Sequence, residues 1–173
     1  YSQELENRMG RDDKLMRSIR SMARTATPRR LVFSEGDSLN TIKAAIHLLS
    51  DGIATPILIG SRSKIHALLD EHKLSLDDKY ILDFRSDEEE PRRQRYATLL
   101  YSKMSRKGIN HAEALKYMMQ RDWFTLMMVA SGDADTSLLG FGHSYIQSLE
   151  PVRQVFGLQP SNRLATMQIV TTK

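Results

Sequence analysis

Short runs of consecutive apolar residues alternate with amphipathic segments through the first half of the chain. Leu31–Phe33 and Ile53–Ile59 are continuous apolar runs, as expected for strands that are buried on both faces. The segments Thr41–Ser50 and Lys64–His72 are predicted helices, and Tyr80–Phe84 is a third strand candidate. Apolar strands separated by amphipathic helices predict an α/β fold: a three-layer α/β/α arrangement with a mostly parallel sheet.

The second half of the chain is predicted to be more helical. Lys107-Gly108 is typical of a helix C-terminus, and Asn110 is a candidate N-cap for the next helix. Trp123–Ala130 is apolar almost throughout, so it is either a buried helix or a buried strand. The other predicted elements are helices over 91–106, 111–120 and 146–156, and strands over 136–139 and 163–171.

Residues 1–28 differ in character from the rest of the chain. The first 26 residues are highly charged, with apolar residues at rough helical spacing, and Pro28 ends the helical pattern because the residue before a proline avoids helical geometry. This segment is predicted to be a linker helix from an upstream region. The chain also begins at Tyr1, without an initiator methionine, so we expect a sequence truncated at its start.

Composition narrows the class of protein. The chain has 173 residues, no cysteine and a formal net charge of +4, which fits one domain without disulfides or cysteine metal sites. No apolar run is long enough to cross a bilayer, so we expect a cytoplasmic protein that does not bind membranes. Basic clusters such as Arg92-Arg93 lie close to the acidic run Asp87–Glu90, which favours a solvated surface over a nucleic-acid site.

The segment Met127–Ser144 contains the best candidates for a ligand site. Asp133 and Asp135 would point to the same side of an extended chain, where two carboxylates can act as acid and base. They can equally cap the next element or accept backbone amides, which is the more common role. A glycine-rich turn comes after the predicted strand, at the position where open α/β sheets bind ligands. The candidate ligand-binding residues are Asp133, Asp135, Gly140, Gly142, His143 and Ser144.

Other motifs are weaker. Ser34-Glu35-Gly36 lies between a strand and a helix, where backbone amides can hold an anion, although a plain turn is the more frequent interpretation. The five histidines are scattered along the sequence, and no metal site is predicted.

Residues 29–173 resemble the amino-terminal half of a phosphate acetyltransferase (phosphotransacetylase) domain. The matching blocks are RLVFSEGD, GIATPILIG, RKGINHAEAL, MMVASGDADTSLLG and PVRQVFGLQP, in the same order and at similar spacing. The resemblance implies an isocitrate/isopropylmalate dehydrogenase-like fold, incomplete here because the second half, which carries the catalytic aspartate, is missing. The chain alone is therefore not expected to transfer acetyl groups.

Residues 1–28 extend the resemblance. The sequence LMRSIRSMARTATPRRLVF looks like the junction in the large bacterial NADP-dependent malic enzymes, where a malate-oxidising region precedes a phosphotransacetylase-like domain. This similarity divides the chain into a linker helix over 1–28 and a half-domain over 29–173. It implies that NADP and a divalent metal, Mg or Mn, belong to the parent enzyme and that this segment carries no cofactor.

Two departures from the family pattern affect the expected activity. Phosphotransacetylases have an arginine where this chain has Met104, four residues before Gly108, and another where it has Glu150, just before Pro151. Those arginines are implicated in holding phosphate and coenzyme A. A thioether supplies no charge-assisted donor, and a carboxylate repels an anion.

The resemblance therefore implies a regulatory and oligomerisation domain of a malic enzyme. Its expected partners are a second copy of the chain and acetyl-CoA or a related acyl-CoA. Two alternatives remain open. One is an active phosphate acetyltransferase with unusual residues at these two positions, and the other is an assembly module that binds no ligand.

Overall fold

The computed structural model describes residues 11–140, 142 and 145–157. The strands are β1 (Arg29–Phe33), β2 (Ala54–Ile59), β3 (Ile81–Leu82) and β4 (Thr136–Leu138). The helices are α1 (Arg11–Thr25), α2 (Leu39–Ser50), α3 (Arg62–Glu71), α4 (Glu90–Met104), α5 (His111–Met118), α6 (Arg121–Ala130) and α7 (Tyr145–Phe156). The four described strands are parallel and form one sheet in the order β3-β2-β1-β4.

The sheet has helices on both faces, which confirms the predicted three-layer α/β fold. Alternate residues of a strand point to opposite faces. Val32 of β1 belongs to the core formed with α4, α5, α6 and α7, whereas its neighbour Phe33 belongs to the core formed with α2 and α3. Ile59 and Leu58 of β2 divide in the same way, and all four side chains are at most 2% exposed. Burial on both faces explains why these strands are continuously apolar.

The strand order creates a switch point beside β1. From β1 the chain proceeds through α2 and β2 to β3 on one side, and it returns through α4, α5 and α6 to β4 on the other side. The carboxyl ends of β1 and β4 therefore lie together at the place where open α/β sheets bind ligands. The register pairs Phe33 with Leu138, so the loops that begin at Ser34 and at Leu139 leave the sheet side by side.

Most local predictions in the second half are confirmed. Asn110 accepts a hydrogen bond from the Glu113 amide, and the Glu113 carboxylate accepts from the Asn110 amide, each at 2.9 Å, so the two residues form a capping box for α5. Gly108 comes after the short 3-10 turn that ends α4 and has a φ of 90°, in the left-handed region. The ambiguous apolar segment is the helix α6, with six consecutive buried residues from Trp123 to Met128.

The third strand is shorter than predicted. Instead of Tyr80–Phe84, only Ile81–Leu82 pairs with β2. The Asp77 carboxylate accepts from the Lys79 amide and caps a 3-10 turn that includes Tyr80. On the other side, Asp83 accepts from the amides of Arg62 and Arg85, so the chain turns away from the sheet. Aspartates at both ends therefore end the strand.

The helical pattern predicted over the first 26 residues is confirmed for α1, which ends at Thr25, three residues before Pro28. Its side chains Met16, Ile19 and Met22 are 38–62% exposed. Among the described residues, no helix has the length and apolar character needed to cross a membrane. The predicted strand over 163–171 lies outside the described residues.

Candidate functional site

The loops at the carboxyl ends of β1 and β4 are joined by a hydrogen bond. The Gly142 amide donates to the Glu35 carboxylate at 2.8 Å. Gly140 has a φ of 94°, and a Cβ added there would lie 3.1 Å from the Ser148 hydroxyl. The positive φ favours glycine at this position, and an added Cβ would also crowd the Ser148 hydroxyl. Gly140 and Gly142 of the predicted glycine turn therefore lie at the switch point.

The loop after β1 is also held to α6. The Asp37 carboxylate accepts two hydrogen bonds from the Arg121 guanidinium, at 2.6 and 3.0 Å. Burial opposes ionisation of Asp37, but the hydrogen bonds and the charge of Arg121 hold its pKa below the ordinary value. The Gly36 amide donates to the Ile59 carbonyl at 2.9 Å, so it is not free to hold an anion. The Ser34-Glu35-Gly36 segment is accordingly a packed turn.

The two aspartates of the predicted ligand set lie at the opposite, amino end of the sheet, because both precede β4. The Asp135 carboxylate accepts from the Arg30 amide at 2.8 Å and from its guanidinium at 3.1 and 3.2 Å. These hydrogen bonds, the side-chain ones first, lower the pKa of Asp135 to about 2. A carboxylate with so low a pKa is a weak proton acceptor at neutral pH, so Asp135 is poorly suited to general-base catalysis and is held in place by Arg30.

Asp133 joins α4 to the turn after α6. Its carboxylate accepts short hydrogen bonds from the Tyr96 hydroxyl and the Arg95 guanidinium. Tyr96 is fully buried, and burial, followed by the hydrogen bond to Asp133, raises its pKa to about 12. Both aspartates thus have structural partners, and the structure does not bring them together with the glycine turn into one site.

The two positions that we expect to depart from the family pattern, Met104 and Glu150, line a common cleft. Met104 ends α4 and is 3% exposed, and Glu150 is one turn into α7. Between them is a cleft of about 570 Å³, large enough for part of a cofactor-sized ligand. We call it the Met104 cleft. Its lining residues are Met104, Lys107, Ile109, Tyr117, Glu150, Arg153 and Gln154.

The charges of the Met104 cleft are arranged on its rim. Glu150 accepts from the Gln154 amide group at 2.6 Å, and an Arg153 nitrogen lies 3.9 Å from its carboxylate. Both ionic side chains are more than half exposed, so their interaction is weak. Lys107 adds a second cation beside Met104. The cleft therefore carries two cations and one carboxylate, and its apolar wall is formed by Met104, Ile109 and Tyr117.

Sequence reasoning found only part of this site. Met104 and Glu150 were singled out, but Lys107, Arg153 and Tyr117 were not assigned to a site. The spacing of Glu150, Arg153 and Gln154, at i, i+3 and i+4 of a helix, indicates a common face and was the available signal. His143 and Ser144, the remaining predicted ligand residues, lie outside the described residues.

Comparison with known proteins gives a consistent result. The family model for phosphate acetyl/butaryl transferase matches residues 14–173. The "Probable NADP-dependent malic enzyme" of Rickettsia prowazekii is 28% identical over 176 residues, and a "Phosphate acetyltransferase" of Synechocystis is 28% identical over 144 residues. Among solved structures, the "EutD phosphotransacetylase from Staphylococcus aureus" superimposes with a TM-score of 0.74 at 19% identity, which supports the fold.

The chain corresponds to a small part of these proteins. The match to the Rickettsia protein covers 100% of this chain and only 23% of that protein. The match to the Synechocystis protein covers 83% of this chain and only 20% of that protein. For the Staphylococcus aureus structure, 86% of this chain aligns with 45% of that chain.

Proposed function

The chain belongs to the phosphate acetyl/butaryl transferase family, and from that premise we propose that it is a regulatory, acyl-CoA-binding domain of an NADP-dependent malic enzyme. The malic enzyme relative supports the parent, which would oxidise and decarboxylate malate to pyruvate in the cytoplasm. NADP and the divalent metal would be held by other parts of that protein.

This proposal rests on one observation: Met104 and Glu150 line the same cleft. The arginines that the family resemblance implies would have placed two guanidinium groups here to hold phosphate. Met104 supplies no charge-assisted donor, and Glu150 adds a negative charge beside the place of an incoming phosphate. Binding of free phosphate as a second substrate is therefore disfavoured, whereas binding of a thioester alone is not.

The remaining groups of the cleft suit an acyl-CoA. The wall of Met104, Ile109 and Tyr117 can accept the acyl and pantetheine portion. Lys107 and Arg153 can meet a phosphate of the nucleotide end. A complete coenzyme A molecule is larger than this cleft, so further contacts would come from the second half of the domain or from a neighbouring subunit.

Regulation by acyl-CoA requires only that its affinity differs between two conformational states of the enzyme, and it requires no reaction at the cleft. If acyl-CoA binds more tightly to one global state of the enzyme, it shifts the population toward that state. Acetyl-CoA is a chemically reasonable inhibitor, since it is formed from the pyruvate that a malic enzyme produces. Homo-oligomer formation would carry the response between subunits.

Calorimetric titration of the full-length protein with acetyl-CoA tests this proposal. We expect binding by the wild type and binding about tenfold weaker for Lys107→Glu, because a contact to a phosphate becomes a repulsion. Lys43→Glu is the matched control, since Lys43 is exposed on α2, on the other face of the sheet, and its change should leave the affinity unaltered. Malate oxidation is measured with and without acetyl-CoA for the same three proteins.

Each outcome has a definite meaning. No binding by the wild type contradicts the sensor, and equal affinity of the wild type and Lys107→Glu contradicts the assignment of the cleft. Binding that leaves malate oxidation unchanged contradicts regulation. An oligomer that acetyl-CoA neither stabilises nor rearranges favours the assembly module.

A phosphate acetyltransferase is the second candidate, because the Synechocystis relative has that name. It predicts phosphate-dependent conversion of acetyl-CoA to acetyl phosphate by the full-length wild type. The regulatory proposal instead predicts none, and it predicts that Glu150→Arg raises the affinity for free phosphate while Glu150→Gln changes it less.

A further inference from the structure

Helix α1 is amphipathic, and its apolar face is exposed. Met16, Ile19 and Met22 are spaced by three residues, so at 3.6 residues per turn they fall within about a third of the helix circumference. Each of the three side chains is at least 38% exposed. The basic residues Arg17 and Arg24 lie on the opposite side of the helix. We call the surface formed by Met16, Ile19 and Met22 the α1 apolar face.

The described part of the chain holds α1 at one end and leaves this face open. The Arg24 guanidinium donates to the Asp51 carboxylate at 2.5 Å, and Asp51 is the C-cap of α2. This ion pair sets the direction of α1, but it is too exposed to contribute much to stability. The described side chains of α1 belong to neither of the two hydrophobic cores that the described residues form.

A helix of this length depends on packing. α1 has 15 residues, and isolated helices of that size are marginal in water. Most of the stability of a helix in a protein comes from burial of its apolar stripe against other elements. A row of exposed large apolar side chains is also a common mark of an interaction surface. The α1 apolar face therefore indicates an interface.

The extent of the family match indicates what covers this face. The family model begins at residue 14, so the matched domain includes most of α1. The chain aligns with 45% of the Staphylococcus aureus structure, so more than half of that chain lies outside the aligned part. A helix within a domain packs its apolar stripe on the core of the same domain. The match therefore favours the remainder of the domain as the occupant.

The charge and composition of α1 argue against two other occupants. The segment from Lys14 to Ser34 contains six cations and no carboxylate. Two copies of α1 placed face to face would bring these like charges together, which is unfavourable. An anionic membrane would attract the cations, but α1 has no tryptophan or phenylalanine to anchor it at a lipid interface. The surface that covers α1 is expected to be apolar, with carboxylates along its rim.

We propose that the α1 apolar face packs against the carboxy-terminal half of the same domain, which follows Lys173 in the full-length protein. Burial of the three side chains makes α1 the first element of the completed fold, whereas a linker helix would contact the upstream region instead. The proposal rests on family membership and does not depend on acyl-CoA binding.

Cysteine labelling of the full-length protein tests whether the face is covered. Met22→Cys places a thiol on the α1 apolar face, and the matched control Ser21→Cys places one at an exposed position on the opposite side of the helix. The rate of modification by iodoacetamide is measured by mass spectrometry and divided by the rate in urea-unfolded protein. We expect Met22→Cys to react at least about tenfold more slowly than Ser21→Cys, because a buried thiol reacts only after local opening.

Two labelling results would overturn the proposal. Equal relative rates for the two variants would show that the face is open to water. Slow labelling of Met22→Cys that appears only when phosphatidylserine vesicles are added would show that the face binds a lipid surface.

Photo-crosslinking identifies the occupant with little change to the shape of the face. Photo-methionine replaces methionine in the full-length protein, and mass spectrometry identifies crosslinked peptides that contain Met16 or Met22. We expect crosslinks to the sequence after Lys173, in a chain that keeps the mobility of a monomer on a denaturing gel. Crosslinks to the sequence before Tyr1 would support a linker helix, and a band of twice the mass would support a second copy. Either of these results contradicts the proposal.

Discussion

Gly36→Ala should destabilise the protein by inserting one methyl group where the loop after β1 crosses β2. A Cβ at residue 36 would lie 2.7 Å from the Cβ of Leu58, and 2.8 Å from the Leu58 carbonyl carbon and the Ile59 amide nitrogen. Carbon atoms in good contact are about 3.5–4.0 Å apart, so the loop would have to move by about 0.8 Å or more. Two of the three neighbouring atoms belong to a buried backbone and cannot give way.

The magnitude is set by two costs and one gain. Overpacking at a rigid site costs about 1–3 kcal/mol. Displacement of the loop also weakens the 2.9 Å hydrogen bond from the Gly36 amide to the Ile59 carbonyl, at a cost of about 1 kcal/mol. Reduced freedom of the unfolded chain returns about 0.4–1 kcal/mol. We therefore expect the free energy of unfolding to fall by about 1–3.5 kcal/mol.

Urea unfolding followed by circular dichroism measures this change as a lower midpoint with an unaltered slope. The matched control is Gly52→Ala. Gly52 has a φ of 65°, and no atom lies within 4 Å of a Cβ added there. The alanine in this control therefore introduces backbone strain of about 1–2 kcal/mol but no steric clash. If Gly36→Ala were no less stable than Gly52→Ala, the steric argument would be wrong. Because the neighbouring Glu35 holds Gly142, we also expect faster hydrogen exchange of the Gly142 amide in the Gly36 variant.

Three further predictions concern polar groups outside that loop. Arg93 is 5% exposed and donates hydrogen bonds to the carbonyls of Phe84 and Ser86 at 2.5 and 2.8 Å. Arg93→Met should therefore lower the free energy of unfolding, measured in urea, by about 2–4 kcal/mol, because both carbonyls lose their donor. A decrease below about 1 kcal/mol would show that water replaces the guanidinium. The pKa of Tyr96 is raised to about 12, so its hydroxyl should titrate near pH 12 in ultraviolet absorbance. Its contribution to stability is therefore complete below pH 10, the ordinary tyrosine pKa, and is lost as the pH rises through 12. Tyr96→Phe should remove this late step from the absorbance titration, and an unchanged curve would contradict the assignment. For Asp135, whose pKa is lowered to about 2, the contribution is present above pH 3.8 and is lost as the pH falls toward 2, so wild type and Asp135→Asn should differ in thermal stability at pH 6 and converge near pH 2.

The predictable part of the fold depended on local signals. Continuous apolar runs indicated β1 and β2, and the Asn110 and Gly108 signals located the start of α5 and the end of the turn before it. β3 was predicted too long because its ends depend on hydrogen bonds that the Asp77 and Asp83 carboxylates accept from backbone amides, which no hydrophobic pattern records.

The candidate sites depended on distance in space. Sequence motifs grouped Asp133 and Asp135 with Gly140 and Gly142, but a strand passes between the pairs, so they lie at opposite ends of the sheet. Conversely, Met104 and Glu150 are 46 positions apart in the numbering and line one cleft. The pairing of Asp37 with Arg121, 84 residues away, had no signal in the sequence.

By itself, the sequence determined the class of fold and the family, because alternation of apolar segments and ordered motif blocks are properties of the chain read in one dimension. Only the tertiary structure decided which charged groups share a surface. Helices α4, α5 and α7 bring Met104, Tyr117 and Glu150 to one cleft, and α6 brings Arg121 to Asp37. Electrostatic attraction depends on the distance through space between charges, and the packing of helices on the sheet sets that distance.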